Sequence, residues 1–107
     1  MQEALLYALR QHKVVWFTFV SPEEFDGGRR KVEPFTLGRG AFNELLLRGY
    51  QTGGHSRSGG LPGWRLFPLS GISGVTLTEE SFPARPHYRH PDPAMVNGIL
   101  AHFQPTL

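Results

Sequence analysis

The sequence predicts a mainly β domain: a small antiparallel barrel of five short strands, with one helix before it and a short helix after it. Three observations lead there. Apolar runs of strand length recur between residues 14 and 78, each closed by turn-forming residues. The 107 residues include 13 Gly and 9 Pro, both high for a globular chain, which suits many turns between short elements. Helical spacing of apolar side chains is confined to the two ends.

The elements follow in order. In residues 2–12, QEALLYALRQH, the side chains Ala4, Leu5, Ala8 and Leu9 share one helical face. Glu3 near the start and Arg10, His12 and Lys13 near the end complement the helix dipole. VVWFTFV (14–20) is dense in β-branched and aromatic residues and apolar on both faces, so it reads as a central strand that the helix covers on one side. SPEEFDGGRR (21–30) is a turn, with Asp26-Gly27 as its hairpin signal. KVEPFTLG (31–38) is the second strand, and Pro34, lacking an N–H, belongs at an edge or a bulge. NELLLRGYQ (43–51) is the third; alternation places Glu44, Leu46, Arg48 and Tyr50 on one face and Leu45, Leu47 and Gly49 on the other. WRLFPL (64–69) and ISGVTLT (72–78) complete the set. Close spacing of five such strands favours a barrel over a sandwich. Residues 1–82 form this unit, and residues 83–107 a proline-rich tail. Within the tail, AMVNGILAHF carries apolar residues at 95, 96, 99, 100 and 103, which predicts a short helix docking on the barrel or on a second copy.

Composition excludes several classes of chemistry. There is no cysteine, so disulfides, thiolate metal sites and thiol catalysis are ruled out. The first residues lack a basic segment followed by an apolar run, and no run reaches membrane-helix length, so a cytoplasmic protein without membrane attachment is expected. No cofactor is indicated. The two Asp lie in turn or tail contexts and the adjacent glutamates 23–24 and 79–80 point apart on a strand, so the expectation is a non-enzyme. His87, His90 and Asp92 have a loose spacing and no fourth partner, so no metal site is expected.

Charge is uneven. Between residues 29 and 65 seven basic residues face two acidic ones, a local +5 in a chain whose net charge is +2. Arginine outnumbers lysine nine to two, which suits planar recognition of phosphate or carboxylate. Arg48 and Tyr50 share a face, and the glycine-rich stretch TGGHSRSGGLPG returns the chain so that Arg65 lies on the neighbouring strand. A guanidinium beside an aromatic ring holds a phosphate and stacks a base. In the loop, exposed backbone amides with His55 and Arg57 offer an anion nest. The competing readings are plain: Arg48 pairs with Glu44 on its own face, Tyr50 is core, and the loop is only a long hairpin connection.

The segments RKVEPFTL, ELLLRGYQ, WRLFPLSGISGVTL and ESF resemble the WYL-domain family over roughly residues 3–82. Arg30 or Lys31 precedes the Val32-Glu33-Pro34 segment, Leu45, Leu46 and Leu47 stand at the triplet that names the family, Gly49 follows, and Arg65 and Phe82 match later positions. The Trp and Tyr of the name are absent, and Pro68 and Gly71 replace two later arginines. The resemblance implies an Sm-like or SH3-like barrel acting as a ligand-sensing regulatory module, with nucleotides or single-stranded nucleic acid as ligands. Together these readings give Arg30, Arg48, Tyr50, His55, Arg57 and Arg65 as candidate ligand-binding residues. Open strand edges imply a homo-oligomer or a partner protein. The alternative is a protein-interaction or oligomerisation module that has lost ligand binding.

Overall fold

In the computed structural model, which describes residues 1–22, 27–56 and 59–105, helix α1 (Gln2–Gln11) buries Leu5, Ala8 and Leu9 as its spacing predicts. It ends at His12, whose left-handed backbone (φ 56°) is unusual outside glycine. The position is held from both sides. The His12 N–H donates to the Ala8 carbonyl, and the imidazole stacks on Phe103 at 4.1 Å between ring centroids.

Strands β1 (Lys13–Phe19), β2 (Arg29–Arg39), β3 (Leu45–Gly54), β4 (Gly63–Pro68), β5 (Ile72–Ser81) and β6 (Ile99–His102) form one antiparallel sheet, with a 3-10 turn at Leu69–Gly71 between β4 and β5. The order is β4-β3-β2-β1-β5, so β1 has strands on both edges and takes the interior place predicted for it; β6 pairs with β2. The five-stranded barrel predicted above is therefore corrected to six strands among the described residues. The sheet is also open, because no ladder among the described residues joins β4 to β5. The first hairpin lies as expected, although Asp26 is outside the described residues. The described part of residues 52–63 contains no helix.

β2 has two neighbours along one edge. β1 pairs with Arg29 to Val32, and β6 pairs with Thr36 to Gly38. Pro34 sits in the gap, beside a register shift against β3 between Pro34 and Thr36, which is the bulge that a missing N–H calls for. The irregularity turns both Phe35 and Thr36 toward the tail, where each meets Tyr88.

The short C-terminal helix is the second correction. Its apolar spacing suits a helix, but Gly98 adopts φ 115°, which breaks any helix there, and the next residues extend as β6. The driving force is the C-terminal half of β2, whose edge groups β1 does not reach. β6 and its lead-in supply the missing partners: Arg39 N–H donates to the Gly98 carbonyl and Asn97 N–H to the Arg39 carbonyl. Backbone pairing outweighs a helix that glycine already weakens.

The sheet separates two cores. On one face α1 packs over Val15, Phe17, Val32, Leu37, Leu47 and Phe67. On the other, Val14, Phe35, Phe82 and Phe103 cluster under Tyr50, Trp64 and Tyr88. The tail therefore closes the second face as the helix closes the first. Its passage depends on Gly38, where an added Cβ would lie 2.6 Å from both the Gly98 carbonyl oxygen and the Met95 sulfur. Gly38→Ala is expected to lift the tail from the sheet at a cost of about 1–3 kcal/mol. Thermal unfolding would register this as a lower Tm, and an unchanged Tm would show that the tail tolerates the intrusion.

Candidate functional site

The pairing of β3 with β4 decides which side chains share a face. Arg48 stands opposite Leu66 and Tyr50 opposite Trp64, all on the side that the tail covers. Arg65 stands opposite Gly49, on the reverse side. Arg48 and Tyr50 thus lie together as predicted, and Arg65 is on the adjacent strand but turned away from them.

Where the tail crosses this face it leaves a cavity of about 240 Å³, walled by Arg48, Trp64, His87, Tyr88, Arg89, Asp92 and Pro93. The Trp64 and Tyr88 rings stack at 5.9 Å between centroids with 24° between their planes. The indole N–H donates to the Pro86 carbonyl at 3.1 Å, which fixes the ring. The Tyr88 hydroxyl shares a 2.9 Å hydrogen bond with Thr36 Oγ1. Burial pushes the Tyr88 phenol above its ordinary value, against the lowering effect of the Thr36 bond.

Two ion pairs tie the tail to this face. Arg85 donates from Nε and Nη2 to the two Glu33 oxygens, both at 2.7 Å, and its guanidinium lies over the Tyr50 ring at 5.1 Å. The Glu33 hydrogen bond is the largest influence on Arg85 and raises its pKa, against the cost of burial. Arg48 donates from Nε to Asp92 Oδ2 at 2.7 Å and from Nη2 to Oδ1 at 3.3 Å. Asp92 also accepts the Ala94 N–H at 2.9 Å. Burial acts to raise the Asp92 carboxyl, but the Arg48 bond, the Ala94 N–H and the charges of Arg48 and Arg89 together hold it below the ordinary carboxylate range. Arg48 therefore pairs with Asp92 from the tail, while Glu44 accepts the Phe42 N–H.

The remaining predicted residues lie elsewhere. Arg65 donates to the carbonyls of Trp64 and Gly59, at 2.9 and 2.8 Å, so it fastens the glycine-rich loop from behind. His55 is exposed, and its backbone is held by the Arg29 carbonyl and by Gln51 Nε2. Arg57 lies outside the described residues. Arg30 is buried, with its guanidinium 5.5 Å from the Phe19 ring centroid. Sequence reasoning missed Asp92 as the partner of Arg48, and Trp64, Tyr88 and Arg89 as residues that share its cavity. For Trp64 a signal existed, since counting back from the β3–β4 turn sets it opposite Tyr50. For the tail no spacing rule predicts which strand it crosses. His87 and Asp92 line the cavity while His90 stacks on His102, and no cluster of three metal-ligating side chains occurs among the described residues.

No family model and no curated protein sequence matches the chain. Among solved structures it is similar to the proteasome accessory factor B/C (PafBC) of Arthrobacter aurescens, with a TM-score of 0.67 and 20% identity, covering 83% of this chain. The chain corresponds to 13% of that protein's chain. At this identity the similarity speaks to the fold, and it supports the WYL-like architecture that the sequence motifs imply.

The lowered Asp92 carboxyl has a consequence for acid stability. Above the ordinary carboxylate range the ion pair contributes fully. As pH falls the unfolded chain takes up a proton first, and the contribution is lost by the time the folded carboxyl protonates. Asp92→Asn is expected to be about 1 kcal/mol less stable than the parent at neutral pH, with the gap closing in acid. Urea titrations at several pH values check this; a gap independent of pH would refute it. For Glu33 and Arg85, a double-mutant cycle with Glu33→Gln and Arg85→Met is expected to return a coupling of about 1–3 kcal/mol. Additive effects would show that the pair holds nothing.

Proposed function

We propose that the chain is a non-enzymatic ligand-sensing regulatory module of WYL type, which binds a nucleotide or single-stranded nucleic acid in the cavity between β3, β4 and the tail. One observation carries the reading. Two guanidinium side chains, Arg48 and Arg89, share a 240 Å³ cavity with the indole of Trp64 and the ring of Tyr88. Guanidinium groups bind phosphate through planar paired donors, and aromatic faces stack bases without regard to sequence. A cavity of this size takes one base with part of its ribose-phosphate and excludes a duplex. The local surplus of basic residues between 29 and 65 is in keeping with an anionic ligand. Of the residues predicted from sequence, Arg48 is the proposed anchor. Tyr50 supports Trp64 from beneath, at 5.1 Å between ring centroids. The regulatory part of the reading leans on the WYL-like fold and on a structural neighbour named as an accessory factor.

A second reading, docking of a partner protein, has its own support. Phe42 is 90% exposed at the tip of the β2–β3 turn, and the turn is rigid: Asn97 Nδ2 donates to the Gly40 carbonyl and Arg39 Nη1 to the Asn43 carbonyl. The outer edges of β4 and β5 carry no ladder partner among the described residues, so pairing of edges between copies is the route to the proposed homo-oligomer.

Salt separates the two. Binding of a ten-nucleotide oligo-dT is expected to weaken steeply between about 50 and 200 mM salt, because phosphate contacts release counterions. Arg48→Ala and Trp64→Ala are each expected to weaken it by about 1–3 kcal/mol. A folded protein that ignores the oligonucleotide and a panel of mononucleotides at low salt would leave partner docking as the standing reading.

A further inference from the structure

The cavity already holds an anion of its own. Asp92 is buried, whereas Arg89, His90, Pro91 and Pro93 around it are exposed. Its carboxylate meets the Arg48 guanidinium through two hydrogen bonds, the arrangement an incoming phosphate or carboxylate would adopt. With Asp92 in place, the charged lining among the described residues is two guanidinium groups and one carboxylate; without it, the guanidinium groups face the cavity uncompensated.

The segment that carries Asp92 is fastened at both ends by contacts that do not involve it. On one side the Tyr88 hydroxyl bonds Thr36. On the other, Met95 is buried against Gly38 and β6 follows on the edge of β2. Between these anchors the hydrogen bonds and ring contacts to the rest of the domain are those of the Asp92 carboxylate and of the His90 ring, which stacks on His102 at 3.7 Å. The Ala94 N–H bond to the Asp92 carboxylate is internal to the segment and travels with it, and the Met95 N–H bond to the Asp92 carbonyl closes the turn at its hinge. Residues 89–94 therefore form a bow that can lift from Arg48 without unpairing a strand.

We propose that Asp92 is a built-in competitor for the ligand site: an anionic ligand gains Arg48 by displacing the Asp92 carboxylate, and displacement releases the bow 89–94. This rests on the ligand cavity proposed above and adds its regulation. The apparent affinity of the intact chain is the intrinsic affinity reduced by the fraction of molecules with the bow raised. Binding and a change in tail conformation become one event, readable by whatever contacts the tail.

The test measures binding of adenosine 5′-monophosphate at low salt by calorimetry for the parent chain, Asp92→Asn and Asp92→Ala. Asn is isosteric and keeps an acceptor for the Ala94 N–H, so the fold is retained; circular dichroism verifies it. Both variants are expected to bind about tenfold tighter than the parent, and adding Arg48→Ala to either is expected to abolish the gain. A parent that binds while the variants bind no tighter would overturn self-occlusion and leave the ligand site standing, with Asp92 orienting Arg48 instead. Absence of binding by all folded forms would overturn both. A measurement on the unmutated chain is independent of variant folding. Backbone NMR order parameters at residues 89, 90, 92 and 94 are expected to fall on saturation with the nucleotide, and unchanged or higher values would also overturn the proposal.

Discussion

Pro34 cannot donate to a strand ladder, and β2 runs past it without breaking. One edge of this eleven-residue strand is divided as a result: β1 takes the part before the proline and β6 the part after it. Had β1 continued along the whole of β2, the chain from residue 83 onward would have had no ladder to join. The bulge also turns Phe35 and Thr36 to the same side in succession, giving the tail an aromatic floor and a hydroxyl. The second core, the Tyr88 anchor and the cavity beside Arg48 all lie downstream of that one missing N–H.

A sheet buried on only one face would be marginal in so small a chain, since burial grows slowly with size. Here both faces are covered, one by a helix of ten residues and the other by an irregular tail. An irregular cover must satisfy its polar groups individually, because it has no ladder or helical repeat along most of its length. That explains the density of specific bonds in the tail: Arg85 on Glu33, Tyr88 on Thr36, Asp92 on Arg48, and Asn97 on Gly40. The prolines limit the entropy lost when this segment is ordered. Aromatic packing of Phe35 with Trp64, Phe82, Tyr88 and Phe103 supplies the apolar part.

Elements governed by local rules were legible in the sequence. The face of α1, the alternation of β3 and the bulge at Pro34 each follow from a few neighbouring residues and came out as predicted. The C-terminal segment was not legible, because its apolar spacing fits a helix and a strand alike. The choice was made by the vacant edge of β2 some sixty residues earlier. The site divides in the same way. Arg48 and its face were readable from strand alternation, and Trp64 was readable in principle from pairing register. Asp92 was not: one acidic residue among prolines gives no indication of the arginine it will meet, and its partner could be found only once the tail had a path.

On the ligand reading proposed above, the same residue serves two purposes that pull against each other. For the fold, Asp92 neutralises a half-buried guanidinium and fastens the middle of the tail. For a ligand, it occupies the group that would give the most binding. A purely structural solution could have placed an apolar residue at position 48, since replacing a buried ion pair by hydrophobic packing is often neutral or stabilising. The pairing instead keeps a charged group beside two aromatic rings at the mouth of a cavity, compensated by a carboxylate on a segment that has its own anchors. An arginine held in this way is desolvated enough for its hydrogen bonds to be strong, yet its partner can move without unpairing a strand. That combination is what the proposed displacement of Asp92 requires.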